Sequence, residues 1–210
     1  MSLDALVRSV ERLKSSEVSE LVSEKTREFK ELGKRENENW FSELCFCILT
    51  ANSTAKLGLK IQRELGNGFL ILPKEELRSR LKELGHRFYN RRAEFIVSTR
   101  KFSEIKDIIT KFPAAQRARE WLVENVDGIG YKEASHFLRN VGIDGLAILD
   151  RHILTIIREH GLVKKVPRTP TRRRYLEIEK KLKVLAKKVN LSLAELDLYL
   201  WYMKTGRVMK

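Results

Sequence analysis

Apolar residues recur along this chain at spacings of three and four, and that repeat limits the fold more than any other feature. Leu3, Leu6, Val7, Val10 and Leu13 fall on one side of a 3.6-residue period, as do Ile153, Ile156 and Ile157, and further on Leu182, Val184 and Leu185. No stretch alternates apolar and polar residues convincingly enough to be a half-buried strand. Between the periodic segments stand breakers: Gly33, Asn52-Ser53, the run Gly66-Asn67-Gly68, Pro73, Gly85, Pro113, Gly128 with Gly130, Gly142 with Gly145, Gly161, and Pro167 with Pro170. About ten short helices joined by tight turns are predicted, hence an all-α fold. No internal repeat of helical-hairpin period is present.

A chain of 210 residues can bury a core without disulfides or metals, as one large domain or two small ones. Its 42 Lys and Arg against 28 Asp and Glu leave a formal charge of +14, which draws polyanions and raises their encounter rate. Nucleic acid is the partner this favours, although a solvated, heat-adapted surface has the same excess. The segment "KKVPRTPTRRR", 164–174, concentrates Lys164, Lys165, Arg168, Arg172, Arg173 and Arg174 around two prolines that keep it non-helical. It reads equally as a phosphate-tracking segment and as a basic surface loop. Cys45 and Cys47 are the only cysteines; two apart on a helix they face different ways, so they read as small buried residues of a reducing cytoplasm. Neither a membrane span nor a signal peptide is expected: "LCFCILTA" is far shorter than the ~20 residues a span needs, and "MSLDALVRSVERLK" places acids where a leader has its apolar core.

The stretch "VDGIGYKEASHF", 126–137, carries the chemistry. Upstream, Ala118, Trp121, Leu122 and Val126 mark one helix face; downstream, Ala134, Phe137, Leu138 and Val141 mark another. Gly128 and Gly130 at the junction can take positive φ or admit a close neighbour, while Ile129 between them can turn inward and pin the turn. Unpaired N–H groups at the start of the second helix, with its dipole, make a cradle for phosphate that is indifferent to base sequence.

A helix, "GIG" and a second helix together resemble the helix-hairpin-helix motif, and Lys132 beside it resembles the lysine variant found in DNA glycosylases of the endonuclease III superfamily. Three further stretches match in order. "AILDRHI" sets Asp150 18 residues after Lys132, with His152 two positions on; "LTANSTAKLG" places Asn52 at a helix-to-loop break; "FYNRRAEFI" resembles the superfamily's "LYNxKA" segment. Taken singly each has a plainer reading: a helix N-cap for Asp150, a polar structural residue for His152, a cap for Asn52, half-buried core for Phe88 and Tyr89. The ending "LDLYLWYMKTGRVMK" closely resembles that of the compact archaeal-type 8-oxoguanine DNA glycosylase/AP lyases, and no cysteine follows position 47 to supply the four-cysteine cluster usual in the pyrimidine and adenine members.

This resemblance implies two helical subdomains, a central barrel over 33–145 bearing the hairpin and a second formed by 1–32 with 146–210, and an active site in the cleft between them. It implies a monomeric cytoplasmic enzyme acting on double-stranded DNA that contains 8-oxoguanine, with no metal, cofactor or iron–sulfur cluster. Lys132 is the expected nucleophile, made neutral by partial burial although a free lysine has a pKa of ~10.4; Asp150 would stabilise the sugar cation and relay a proton. Trp201 and the carboxylate-bearing Lys210 would hold the lesion base. Asn52, Phe88, Tyr89 and Asn90 would fill the gap, with Arg91, Arg92 and His152 on the strand and Gly128 and Gly130 on the phosphate. A non-catalytic hairpin module and a glycosylase for another lesion, such as an oxidised pyrimidine, are the alternatives.

Overall fold

The computed structural model describes residues 2–167 and 169–210, so Arg168 of the basic segment lies outside the described residues. Every regular element among them is helical. In chain order they are α1 (Leu3–Lys14), α2 (Val18–Lys34), α3 (Asn37–Thr50), α4 (Ala55–Leu65), α5 (Gly68–Ile71), α6 (Lys74–Glu83) and α7 (Tyr89–Thr99). Then follow a 3-10 turn at Arg100–Phe102, α8 (Ile105–Ile109), α9 (Ala115–Asn125), α10 (Tyr131–Asn140), α11 (Arg151–Glu159), α12 (Arg172–Lys188) and α13 (Leu193–Thr205). More helices occur than the period predicts because α5 and α8 are only one turn long and show no repeat of their own.

Two compact units emerge from the packing: Glu31–Val141, and Met1–Lys30 together with Gly142–Lys210. In the first, α3 is the central element. Trp40, Phe41 and every residue from Glu43 to Thr50 are buried, so this helix is apolar nearly all round and packs α4, α7, α8 and α10 about itself. Cys45 and Cys47 are free thiols in this core, and burial pushes the Cys45 thiol well above its ordinary range. The one carboxylate of α3 inside the core is fully engaged: Glu43 accepts from Asn140 Nδ2 at 2.6 Å and from Gln62 Nε2 at 3.1 Å.

In the second unit, α11 and α12 pack on α13, and Val18, Val22 and Phe29 of α2 meet Leu198 and Tyr199. Helix α13 opens with a capping box between Ser192 and Glu195 and ends at Gly206 in the left-handed region. Val184, placed on an apolar face by its spacing, is 69% exposed; Leu182 and Leu185 on either side carry the contact instead. The basic segment is shorter than predicted, because Thr171 caps Arg174 N and draws the last three arginines into α12, where Arg173 and Arg174 pair with Glu177. Among the described residues no helix is long and apolar enough to cross a membrane.

Candidate functional site

The hairpin between α9 and α10 is locked from several sides. Gly128 sits at φ +79°, and a β-carbon there would stand 2.4 Å from Phe95 Cδ2, so glycine is required both by the backbone and by the ring. Ile129 turns inward and is buried. Gly130 differs from the expectation of a second permissive position: its φ of −104° and ψ of −173° are extended, and it serves as the N-cap of α10 with no side chain capping the first N–H groups. A buried seam fixes α10 against α9. Arg119 is 0% exposed, donates to Ser135 Oγ at 3.3 Å and lies over the Tyr131 ring, whose hydroxyl donates to Glu120.

On this support Lys132 is the second residue of α10. Its side chain is 26% exposed, and Nζ lies 3.7 Å from Glu133 Oε1. Glu133 is a neighbour that the motif did not single out; its other oxygen lies toward Gly130, near where a β-carbon would be. The amine is thus carried by the first turn of α10, beside a carboxylate.

Asn52 occupies the turn after α3 and is one of two non-glycine residues at positive φ among the described residues, at +59°. Asn tolerates that region better than most residues, and its side chain is exposed. The end of α3 carries no glycine and is buried, so its carbonyls need partners from elsewhere. Thr50 Oγ1 donates to Cys47 O at 3.0 Å, His86 Nε2 contacts Leu49 O at 2.9 Å, and Arg92 Nη2 donates to Ala51 O at 2.6 Å. Arg92 therefore departs from the expected place on the DNA strand: it is 6% exposed, stacked near Phe88 and Phe95, and used on the carbonyl adjoining Asn52. Burial lowers its pKa, and the Glu133 carboxylate opposes that. Arg91 and Asn90 are exposed, while Phe88 and Tyr89 are half-buried, with the Arg87 guanidinium 4.4 Å from the centre of the Phe88 ring.

His86 was not singled out by the sequence. Its ring is buried, and the Phe88 N–H donates to Nδ1 at 3.2 Å. Since a backbone N–H can only donate and a carbonyl can only accept, Nε2 carries the proton and donates to Leu49 O; the ring is neutral. Burial lowers the His86 pKa foremost, the bond to Leu49 raises it, and the Arg92 charge lowers it again.

In the other unit Asp150 is the N-cap of α11, its Oδ1 accepting from His152 N and Ile153 N at 2.8 Å each. The buried segment before it is fastened to α12: Tyr175 OH donates to Ala147 O at 2.6 Å and accepts from Leu149 N, while Glu179 accepts from Ala147 N. The His152 ring stacks on Trp201, centroids 4.9 Å apart and 23° from parallel, and its Nε2 accepts from Arg151 Nε at 3.3 Å. Trp201, near the end of α13, and Lys210 are both partly exposed.

Comparison with known proteins identifies the family of the chain. Residues 22–191 match the family model Ogg-HhH, described as 8-oxoguanine DNA glycosylase. The chain is 55% identical to the 8-oxoguanine DNA glycosylase/AP lyase of Methanocaldococcus jannaschii, covering 98% of this chain and 99% of that one, and 48% identical over the whole of both to the protein of that name from Korarchaeum cryptofilum. Among solved structures it is similar to the Methanocaldococcus jannaschii 8-oxoguanine glycosylase/lyase in complex with 15mer DNA containing 8-oxoguanine. The TM-score there is 0.97 at 54% identity, over 98% of this chain and 100% of the other. The 8-oxoguanine DNA glycosylase of Thermotoga maritima aligns with a TM-score of 0.93 at 44% identity, over 99% of this chain and 100% of that one. By its matched residues and by its relatives, the chain belongs to the Ogg-HhH family of 8-oxoguanine DNA glycosylases.

Proposed function

We propose that this protein excises 8-oxoguanine from duplex DNA by way of a Schiff base on Lys132 and then nicks the strand. The observation that carries the reading is the position of Lys132: a partly exposed amine one residue past the N-terminal residue of α10, on a hairpin whose turn is fixed by Gly128 and Ile129. The family's glycosylase/lyase names fit it and do not fit a non-catalytic hairpin module or a different lesion.

A base inside the duplex shields its glycosidic bond, so the nucleotide must first leave the stack, at a cost of a few kcal/mol. Asn52, Phe88, Tyr89 and Asn90 fill the space left and face the orphaned cytosine, with Arg91 and His152 toward the strand. The N-terminal end of α10 binds a phosphate through the backbone at Gly130 and its successors, which sets the sugar over Lys132. Trp201 stacks on the extruded base and Lys210 reads its polar edge. Discrimination from guanine needs an acceptor for the lesion's N7–H, which guanine, an acceptor there itself, would leave unpaired.

Neutral Lys132 Nζ bonds to C1′ as the C1′–N9 bond breaks, and the departing base takes a proton from water. Asp150 offsets the positive charge that develops on the sugar and takes up the proton released by the amine. Opening of the ring, with that proton passing to O4′, gives the iminium; loss of a C2′ proton to solvent then breaks the C3′–O bond and expels the 3′ phosphate, and hydrolysis frees the lysine. A single copy acts, in the cytoplasm, with protein groups alone.

Borohydride reduction tests the assignment. Wild-type protein mixed with duplex containing 8-oxoguanine should give a covalent adduct, and Lys132→Gln should give none. Equal trapping by that variant would remove Lys132 from the reaction.

A further inference from the structure

Two segments assigned above to filling the gap, the Asn52 turn and the segment bearing Phe88, belong to different parts of the chain. The His86 side chain joins them. The His86 ring contacts Leu49 O at 2.9 Å on one edge and receives the Phe88 N–H at 3.2 Å on the other. Arg92 adds a second tie, from α7 to Ala51 O, immediately before Asn52. We propose that His86 is a positioning residue for strand insertion, its ring tying the Asn52 turn to Phe88 so that both enter the duplex as one unit. This rests on the gap-filling role assigned above to Asn52 and Phe88.

The geometry favours a coupling role over plain core filling. A buried apolar ring would satisfy packing, yet both ring nitrogens here are used, and each on the main chain of a different segment. The contacts fall where they constrain display. Leu49 is three residues before Asn52, at the last turn of α3, and Phe88 is itself the residue whose N–H is held. A ring charged at both nitrogens could not accept from Phe88, so the bridge exists only with the neutral tautomer.

Two conservative variants each cut one end. His86→Asn keeps an oxygen where Nδ1 accepts and loses the reach to Leu49 O; His86→Gln keeps an amide that reaches Leu49 O and loses the acceptor for Phe88. The full chain is assayed on duplex carrying 8-oxoguanine opposite cytosine, with 2-aminopurine beside the lesion to report unstacking. A second substrate is a single strand with a preformed abasic site, which has no base to extrude and no partner to replace. Because one hydrogen bond is lost in each, both variants should slow the fluorescence rise and single-turnover excision by about tenfold, leaving nicking of the single strand within about twofold of wild type. In a Phe88→Ala background His86→Gln should add less than about twofold, since the segment it held no longer inserts a ring.

Wild-type unstacking by both His86 variants, while Phe88→Ala and Asn52→Ala are slow, overturns the coupling. Equal slowing on both substrates assigns the loss to general destabilisation and overturns it too. If Phe88→Ala and Asn52→Ala themselves match wild type, the gap-filling role fails and the proposal with it, while Lys132 trapping still reports the chemistry.

Discussion

Replacing Gly128 by alanine should damage the hairpin far more than the same change at Gly130, although both glycines belong to one motif. At Gly128 a β-carbon in the left-handed region costs about 1–2 kcal/mol. It would also stand 2.4 Å from Cδ2 and 2.8 Å from Cε2 of Phe95, contacts that force the ring or the turn to shift. Overpacking of that kind adds about 1–3 kcal/mol, so the total is roughly 2–5 kcal/mol. At Gly130 the backbone is extended and the nearest atom to a new β-carbon is the end of the Glu133 carboxylate at 3.3 Å, free to swing aside. There the entropy lost by the unfolded chain favours alanine by about 0.4–1 kcal/mol, and alanine's poorer capping opposes it by about 1 kcal/mol. The net change stays within about 1 kcal/mol. Urea unfolding followed by circular dichroism, at constant m-value, measures both. Phe95→Ala separates the two parts of the Gly128 cost: with the ring gone, Gly128→Ala should retain only the backbone part of about 1–2 kcal/mol. A Gly128→Ala protein within 1 kcal/mol of wild type, or one no worse than Gly130→Ala, would refute the reasoning.

Asp150 acts as a helix cap through an oxygen that asparagine retains, so Asp150→Asn should melt within about 0.5 kcal/mol of wild type while excision falls steeply, and Asp150→Ala should lose a further ~1 kcal/mol of stability. A wild-type rate in Asp150→Asn would end its part in the chemistry. His86 supplies a pH dependence of stability. Its folded pKa lies below the unfolded value of ~6.5, so the unfolded chain takes up more protons as the pH falls; stability is complete above ~6.5 and declines below it. The drop in unfolding midpoint between pH 7.5 and 5.5 should be smaller in His86→Gln, and an unchanged drop would mean that His86 does not set it.

Much of the hairpin was legible because its residues are local: a helix face, a turn and a helix face follow one another, and Ile129 falls inward as the spacing requires. Asp150 was legible for the same reason, since a cap is read from the residues that follow it. What the chain order hides is the use of side chains across distance. Arg92 sits in a stretch that looks basic and exposed, yet Phe88, Phe95 and the Ala51 carbonyl enclose it, and only the folded position of α7 against α3 brings those groups together. Phe95 had no mark of its own either; its contact with Gly128 spans 33 positions.

The missed residues share a physical cause. Helix α3 is so apolar that its last turn is buried, and it ends at Ala51 without the glycine that commonly closes a helix. Carbonyls left in a dry place must find donors, and those of Leu49 and Ala51 find them in His86 and Arg92. The sequence shows this need only indirectly, as an apolar run that closes at an asparagine where a glycine is commoner. Wherever such a run ends in a turn expected to touch a ligand, the donors supplied from elsewhere in the fold also decide how that turn is presented. Stability and display then cannot be varied independently, so a substitution at either donor should be measured on both: the melting temperature reports the unmet carbonyl, and unstacking of the duplex reports the position of Asn52.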